Sequence, residues 1–364
     1  MSGTVLEPQA TIGILGGGQL GRMLALAAAN LGYRSHIFTP EADSGAAQVA
    51  AVATVAAYDD AAALQRFAGQ VDVVTFEFEN VPAATVETLA PLVPVHPGAA
   101  VLAITQDRLS EKDFLKSAGA GTAPYAPVSS PADIAAAVAH AGPRGVLKTR
   151  RFGYDGKGQR MASGEAETAS AFQELGAVDC ILEGFVEFAC EVSVIVARGR
   201  DGAMAAYVPV ENRHAHHILE RTIAPARLAP EVAAEADRLA RTIAERLGIV
   251  GVLAAEMFAL ADGRLLVNEL APRVHNSGHW TIEACTTSQF EQHVRAICGL
   301  PLGSAERHSD AVMQNLIGHE VARWPELLAD PLNKVHLYGK SEARPGRKMG
   351  HVTRLYPLGT LPED

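Results

Sequence analysis

Glu256 and Glu269 are the residues best placed to do chemistry. They sit in two strand-like runs, Val252 to Leu260 and Leu265 to Leu270, separated by Ala261-Asp262-Gly263-Arg264. Asp-Gly between apolar runs is a strong hairpin signal. A two-residue turn centred on Asp262-Gly263 sets Glu256 directly opposite Glu269, whereas a three-residue turn would slip the register by one and part them. Opposed Cβ atoms lie ~4.5–5.5 Å apart, and like charges there are destabilising. Ala254, Phe258 and Val267 are expected on the same face, so the carboxylates gain little solvation. A bound cation, a shared proton, or a salt bridge to a nearby Arg or Lys would each resolve the conflict. Magnesium suits the first, because it takes a few carboxylate oxygens together with substrate phosphate oxygens.

Cations for phosphates are at hand. Arg150-Arg151-Phe152-Gly153-Tyr154-Asp155-Gly156-Lys157-Gly158-Gln159 carries three glycines and three cations. It follows a strand bearing Lys148, where an unpaired ammonium would be costly. No helix-starting Gly-Lys-Ser/Thr occurs, so this is not a Walker A loop. It suits a mobile flap that closes over phosphates, or else a solvated hairpin loop. Arg273, His275, Asn276, Ser277, Gly278 and His279 crowd the end of the second glutamate strand and suggest substrate contacts. Lys340, Arg344, Arg347 and Lys348 surround Pro345-Gly346, a basic turn able to grip a phosphate or to stand as a solvated charge run.

A second glycine loop reads differently. Gly16, Gly18 and Gly21 form GxGxxG between a strand and a helix, with Glu41 20 residues beyond Gly21. That allows a dinucleotide-dependent oxidoreductase, another anionic ligand at a helix N-terminus with Gln19, or a purely structural turn.

The elements that must position these residues follow from periodicity. Residues 11–15, 35–38, 71–76 and 93–95 read as strands alternating with Ala-rich helices, a parallel α/β unit over 1–102. A second unit, 103–303, opens with a helix over 103–118 and includes a small α+β lid at about 125–185. The lid holds strands at 146–148 and 180–183 and a helix at 165–175. Strands at 191–198 and 204–210, an amphipathic helix Pro230 to Leu247, the glutamate hairpin and a helix at 281–299 complete the second unit. Residues 304–364 read as a small, separate β-rich piece.

Bulk properties exclude whole classes. The 364 residues carry a net charge of −10, which argues against a general nucleic-acid binder. No apolar run approaches the ~18 residues of a membrane span, and the first ten residues lack the layout of a signal peptide. Four cysteines without CxxC pairing fit free thiols in a reducing cytoplasm.

Asn268 to His279 (NELAPRVHNSGH), Gly153 to Gln159, Arg344 to Lys348 and Gly16 to Met23 (GGGQLGRM) together resemble the N5-carboxyaminoimidazole ribonucleotide synthetase family. The likeness spans about residues 11 to 354. It implies an ATP-grasp fold: a Rossmann-like N-terminal domain, a central α+β lid and body, and a small C-terminal β-rich domain. It also implies carboxylation of 5-aminoimidazole ribonucleotide by bicarbonate and ATP through carboxyphosphate, with magnesium, in a homodimer.

By resemblance, Arg108 and Lys148 contact ATP phosphates beneath a flap of Gly153, Tyr154, Asp155, Gly156, Lys157, Gly158 and Gln159. Glu183, Gly184, Phe185 and Val186 form the adenine hinge, with Glu191 on the ribose and His214 near the nucleotide. Asn268 and Glu269 join the ATP set, and Glu256 and Glu269 carry the metal. Tyr154, Asp155, Arg273, His275, Asn276 and Ser277 line the reacting centre, with Arg273, His275 and Asp155 catalytic. Lys340, Arg347 and Lys348 take the ribonucleotide phosphate, with Gln19 at its border. The chain departs from the pattern at His216-His217, where some relatives carry Asp-Gly. It also ends soon after His351, so the last unit is expected to be minimal or completed by a partner. By strict alternation Asn268 faces away from the glutamates.

Overall fold

The computed structural model describes residues 5–153 and 156–362. Three sheets organise it. The first is all-parallel, in the order Val52–Val55, Arg34–Thr39, Thr11–Leu15, Val73–Phe76. Its central strands are buried on both faces, as parallel strands flanked by helices must be. The expected strand at 93–95 reduces to a single bridge between Val74 and Val95, because Pro94 has no N–H to extend a ladder. The exposed edge strand Val52–Val55 escaped the sequence reading; only two apolar positions flank its alanine and threonine.

The second sheet is antiparallel, in the order Tyr125–Val128, Cys180–Gly184, Arg144–Thr149, Gln159–Ser163. Two helices, Ile134–Ala141 and Gly164–Glu174, cover one face around Leu147, Phe172 and Leu182.

The third sheet has nine strands. It begins with the glutamate hairpin, Gly251–Ala259 and Leu265–Ala271, and passes through Cys190–Arg198 to the hairpin Val210–Ala215 and Ile218–Ala224. Ile218–Ala224 then pairs with Asp310–Ile317, so the strands of the last unit extend this same sheet by backbone hydrogen bonds. Helix Pro230–Leu247 packs Leu239, Ile243 and Leu247 against it. Pro230 starts that helix and Gly248, at φ 65°, ends it in the left-handed conformation that a Cβ would disfavour.

Two expected helices are each divided in two. The stretch 103–118 breaks into Ala99–Thr105 and Arg108–Ser117, because Asp107 caps the second by accepting from Leu109 and Ser110 N–H. The stretch 281–299 breaks into Thr281–Ala284 and Gln289–Cys298, whose cap is Ser288. The strand expected at 204–210 is shorter, Met204–Ala206. The four cysteines are free thiols.

Candidate active site

The glutamate hairpin reaches the expected pairing by an unexpected route. Leu260 N–H donates to Arg264 O at 2.9 Å, so the loop is Ala261-Asp262-Gly263, with Gly263 at φ 84°. This is the three-residue turn, and Ala259, Phe258 and Met257 face Leu265, Leu266 and Val267, one residue out of the expected register. A β-bulge between Met257 and Glu256 then absorbs Asn268 as an extra residue, and Glu256 faces Glu269 after all. Val267 consequently pairs with Met257 in the core and is not a neighbour of the carboxylates. Asn268, released from strict alternation, lines the cavity beside Glu269, and its Oδ1 is buried without a protein partner.

Each carboxylate has a nitrogen partner. Arg108 Nη1 lies 2.9 Å from Glu269 Oε2, and His275 Nε2 lies 2.9 Å from Glu256 Oε1. Burial opposes ionisation of Glu269, but Arg108 and Lys148 hold its carboxyl down at about 2. The salt-bridge reading is therefore met at Glu269. The donor set also fits magnesium: two carboxylates and an orphaned amide oxygen are the hard ligands it takes.

These groups line one cavity of about 710 Å³. One wall carries Arg108, Lys148 and the flap residues Gly153, Gly156, Lys157 and Gln159. Glu191 and His214 lie on the sheet side, hydrogen-bonded to each other through His214 Nδ1. Burial works against a charged His214, but the Glu191 carboxylate outweighs it and raises the imidazole pKa. The other end carries Gln19, Arg273, His275, Asn276 and Lys348.

Other expected residues stand behind this lining. Ser277 is buried, its Oγ 2.9 Å from His275 Nδ1 and 2.7 Å from Ser193 Oγ, where it orients the imidazole. Glu183 is buried and lies 3.1 Å from Lys148 Nζ, so its side chain anchors that lysine and does not face the cavity. Phe185 lies under the Arg144 guanidinium, 3.7 Å from its ring centre, and neither it nor Gly184, Val186 or Gly158 lines the cavity. Lys340 Nζ donates to Lys348 O at 2.6 Å and Arg347 Nη1 to Glu342 O at 2.8 Å, both outside the lining. Tyr154 and Asp155 fall outside the described residues.

The first glycine loop is already filled. Glu77, from the end of the neighbouring strand, accepts from Gly18 N–H and, at 2.7 Å, from Gly21 N–H. A carboxyl group occupies the helix N-terminus where a dinucleotide would place its pyrophosphate, and it takes the Gly18 and Gly21 N–H groups that would bind it. Glu41 is exposed and points to no ribose site. The oxidoreductase alternative loses its motif.

Several functional side chains escaped the sequence reading. Glu79 pairs with Arg273, and Asp107 lies 2.8 Å from Arg150 at the base of the flap. Glu111 and Lys112 are buried in the helix Arg108–Ser117. Arg108, Glu111, Lys112 and Leu115 share one helical face, but three of those four positions are charged, so in sequence the face reads as solvated.

Glu111 gives a pH-dependent prediction. Burial drives its carboxyl up to about 8, despite Lys112 nearby. An unfolded glutamate titrates at ~4.3, so between these values the folded protein holds a proton that the unfolded chain has released. Stability linked to that proton is complete below the unfolded value and is lost as pH rises through about 8. Glu111→Gln mimics the protonated acid. Its urea midpoint is expected to fall less than the parent's between mildly acidic and mildly alkaline pH.

A second prediction concerns the flap. Gly156 stands at φ 78°, and a Cβ there would lie 2.6 Å from His217 Cβ. Left-handed backbone costs an L-residue ~1–2 kcal/mol. Gly156→Ala is therefore expected to distort the flap and cut kcat/KM about tenfold, ~1.4 kcal/mol, in steady-state kinetics, with a melting temperature lowered by no more than a few degrees.

Comparison with known proteins decides the family. Residues 9–106 match the ribonucleotide synthetase preATP-grasp domain, 113–290 the ATP-grasp domain, and 311–357 the phosphoribosylaminoimidazole carboxylase C-terminal domain. The N5-carboxyaminoimidazole ribonucleotide synthase of Brucella melitensis is 52% identical, covering 98% of this chain and 99% of its own. The chain belongs to the N5-carboxyaminoimidazole ribonucleotide synthase family.

The synthase of Bacillus subtilis is 45% identical over 97% of this chain and 93% of its own. A solved N5-carboxyaminoimidazole ribonucleotide synthetase in complex with ADP superposes with a TM-score of 0.93 at 44% identity, covering 97% of this chain and 94% of that one. The Aspergillus clavatus enzyme, in complex with ADP and 5-aminoimidazole ribonucleotide, superposes at 0.89 with 31% identity over 96% of this chain and 94% of its own. The chain is thus an ATP-grasp carbon–nitrogen ligase of purine biosynthesis. No helix among the described residues is long and apolar enough to cross a membrane.

Proposed function

We propose that this synthase couples ATP cleavage to transfer of a carboxyl group from bicarbonate onto the exocyclic amine of 5-aminoimidazole ribonucleotide, with both reactants meeting in the cavity described. One observation carries the reading. The bulged strand gathers Glu256, Asn268 and Glu269 on the same cavity wall as Arg108 and Lys148, while Arg273, His275 and Lys348 line the rest.

Magnesium, held by Glu256, Glu269 and Asn268 Oδ1, would screen phosphate charge as it moves from ATP to bicarbonate. Arg108 and Lys148 hold the transferring phosphates in place. A bicarbonate oxygen attacks the γ-phosphorus, the bond to ADP breaks, and carboxyphosphate forms. The amine then attacks the carboxyl carbon and inorganic phosphate leaves. Arg273, fixed by Glu79, balances negative charge on the carboxyl group. His275 is turned toward Glu256 by Ser277, and the amine's proton has a nearby acceptor there. Gly153 and the stretch from Gly156 to Gln159 close as a lid, because carboxyphosphate survives only where water is excluded.

Glu191 and His214 meet the ribose side, and Lys348 and Gln19 take the ribonucleotide phosphate, with Lys340 and Arg347 beside Lys348 but outside the lining; residues 183–186 would reach the adenine from beyond the same lining. The functional units run 1–102, 103–303 and 304–364, in a cytoplasmic homodimer. ADP release with magnesium, bicarbonate and 5-aminoimidazole ribonucleotide tests the whole. Release is expected only with all three present, and background rates with the ribonucleotide would overturn it. Saturable NADH fluorescence would restore the oxidoreductase reading.

A further inference from the structure

The bulge that places Glu269 opposite Glu256 raises a physical question: what holds it. An extra residue in one strand leaves its own backbone polar groups outside the ladder, and buried carbonyls without donors are costly. Lys112 answers this. Its Nζ donates to Asn268 O at 2.6 Å and lies 3.4 Å from Val267 O. The same ammonium lies 3.4 Å from Glu183 Oε2, the oxygen that anchors Lys148 at 3.1 Å. One residue earlier, Glu111 Oε1 accepts from Leu270 N–H at 2.7 Å. One turn earlier, Arg108 binds the Glu269 carboxylate itself.

We propose that Glu111 and Lys112 form a clamp that grips the backbone on either side of Glu269, locks the bulge, and thereby sets the carboxylate register on which divalent-cation binding depends. They are positioning residues, since the metal would be held by the glutamates. A lysine side chain 1% exposed gives up its hydration only where several oxygens replace it, and here the strand supplies two of the three. The helix face Arg108, Glu111, Lys112 thus controls side chain, amide and carbonyl of one short segment at once. Without the clamp the simplest relaxation is loss of the bulge. The one-residue slip of the turn then runs through, and Glu269 moves to the opposite face of the sheet.

This inference rests on the magnesium reading above, and the test separates the two. Mn2+ binding in the presence of ADP is measured by the electron paramagnetic resonance of free Mn2+, alongside the Mg2+ dependence of ADP release. If the parent binds no Mn2+ with ADP, the metal reading itself fails. If it binds, Lys112→Met is expected to weaken Mn2+ at least tenfold, with the KM for the ribonucleotide within threefold of the parent. Glu111→Ala, which removes the acceptor for Leu270 N–H together with the rest of a buried carboxyl side chain, is expected to weaken it at least threefold. Lys112→Arg keeps the charge and is expected to recover part of the loss. Should Lys112→Met not fold, the other two variants decide. Lower melting temperatures with parental Mn2+ affinity in the folded variants would reduce the clamp to a purely structural role and overturn the proposal.

Discussion

Glu269→Gln is expected to lower kcat at least a hundredfold while the protein keeps its fold. The glutamine has the same shape and still offers Arg108 an amide oxygen, so the local packing survives. What disappears is a negative charge that burial opposes and that Arg108 and Lys148 sustain at about 2. Without it Arg108 and Lys148 retain their pull on phosphates, but the pair of anionic oxygens facing them is halved. Removing one fixed electrostatic group from a catalytic site, such as an oxyanion-hole donor, costs about 10²–10³ in rate. The Mg2+ concentration giving half-maximal ADP release should rise in parallel. Turnover within about tenfold of the parent, roughly 1.4 kcal/mol, would show that Glu269 carries no metal.

Glu183→Gln has the largest expected effect on stability. One carboxylate oxygen serves two ammonium groups, Lys148 at 3.1 Å and Lys112 at 3.4 Å, and the Glu183 side chain is 4% exposed. Breaking a buried ion pair by neutralising one partner costs about 3–5 kcal/mol, because the remaining charge stays buried. Here two cations would be left facing each other with Arg108 close by, so the upper end of that range is expected in urea unfolding.

The pH signature distinguishes this from lost packing. Burial alone would push the Glu183 carboxyl up, but Lys148, Lys112 and Arg108 hold it down at about 2. Its folded value lies below the ~4.3 of an unfolded glutamate, so its stabilisation is complete above that value and is lost as pH falls toward about 2. The difference in stability between parent and Glu183→Gln should therefore shrink through that acid window and remain constant above it. A difference that persists unchanged below pH ~3 would assign the effect to shape and not to charge.

The sequence displayed the site more fully than the reasons for it. Lys148, the flap glycines, Arg273 and His275 are conspicuous because polar groups at strand ends break an apolar pattern. The pairing of Glu256 with Glu269 was correct in outcome and wrong in route. A two-residue turn was expected, and the three-residue turn is compensated by a bulge that composition does not announce. The bulge also resolves the orientation of Asn268, which strict alternation turned the wrong way. Glu77 and Glu79 follow a strand whose apolar residues drew the attention, so the occupant of the first glycine loop was missed. Lys112 and Glu111 look like an ordinary solvated helix face until the strand that buries them, more than 150 residues away, is in place. The union of the last strands with the main sheet was hidden for the same reason: Ile218–Ala224 meets Asp310–Ile317 across some ninety residues of chain.

That union has a mechanical consequence. The glutamate hairpin at one end and the strand starting at Lys348 toward the other belong to a single hydrogen-bonded plate. The distance between them is fixed by covalent and ladder geometry, as between two pegs driven into one board. The four-stranded sheet over 125–184 shares no ladder with that board among the described residues. The smaller sheet is therefore tied to the larger one by loops and side chains and not by strand pairing. The spacing between the two glutamates and Lys348 is then the same wherever that smaller sheet stands.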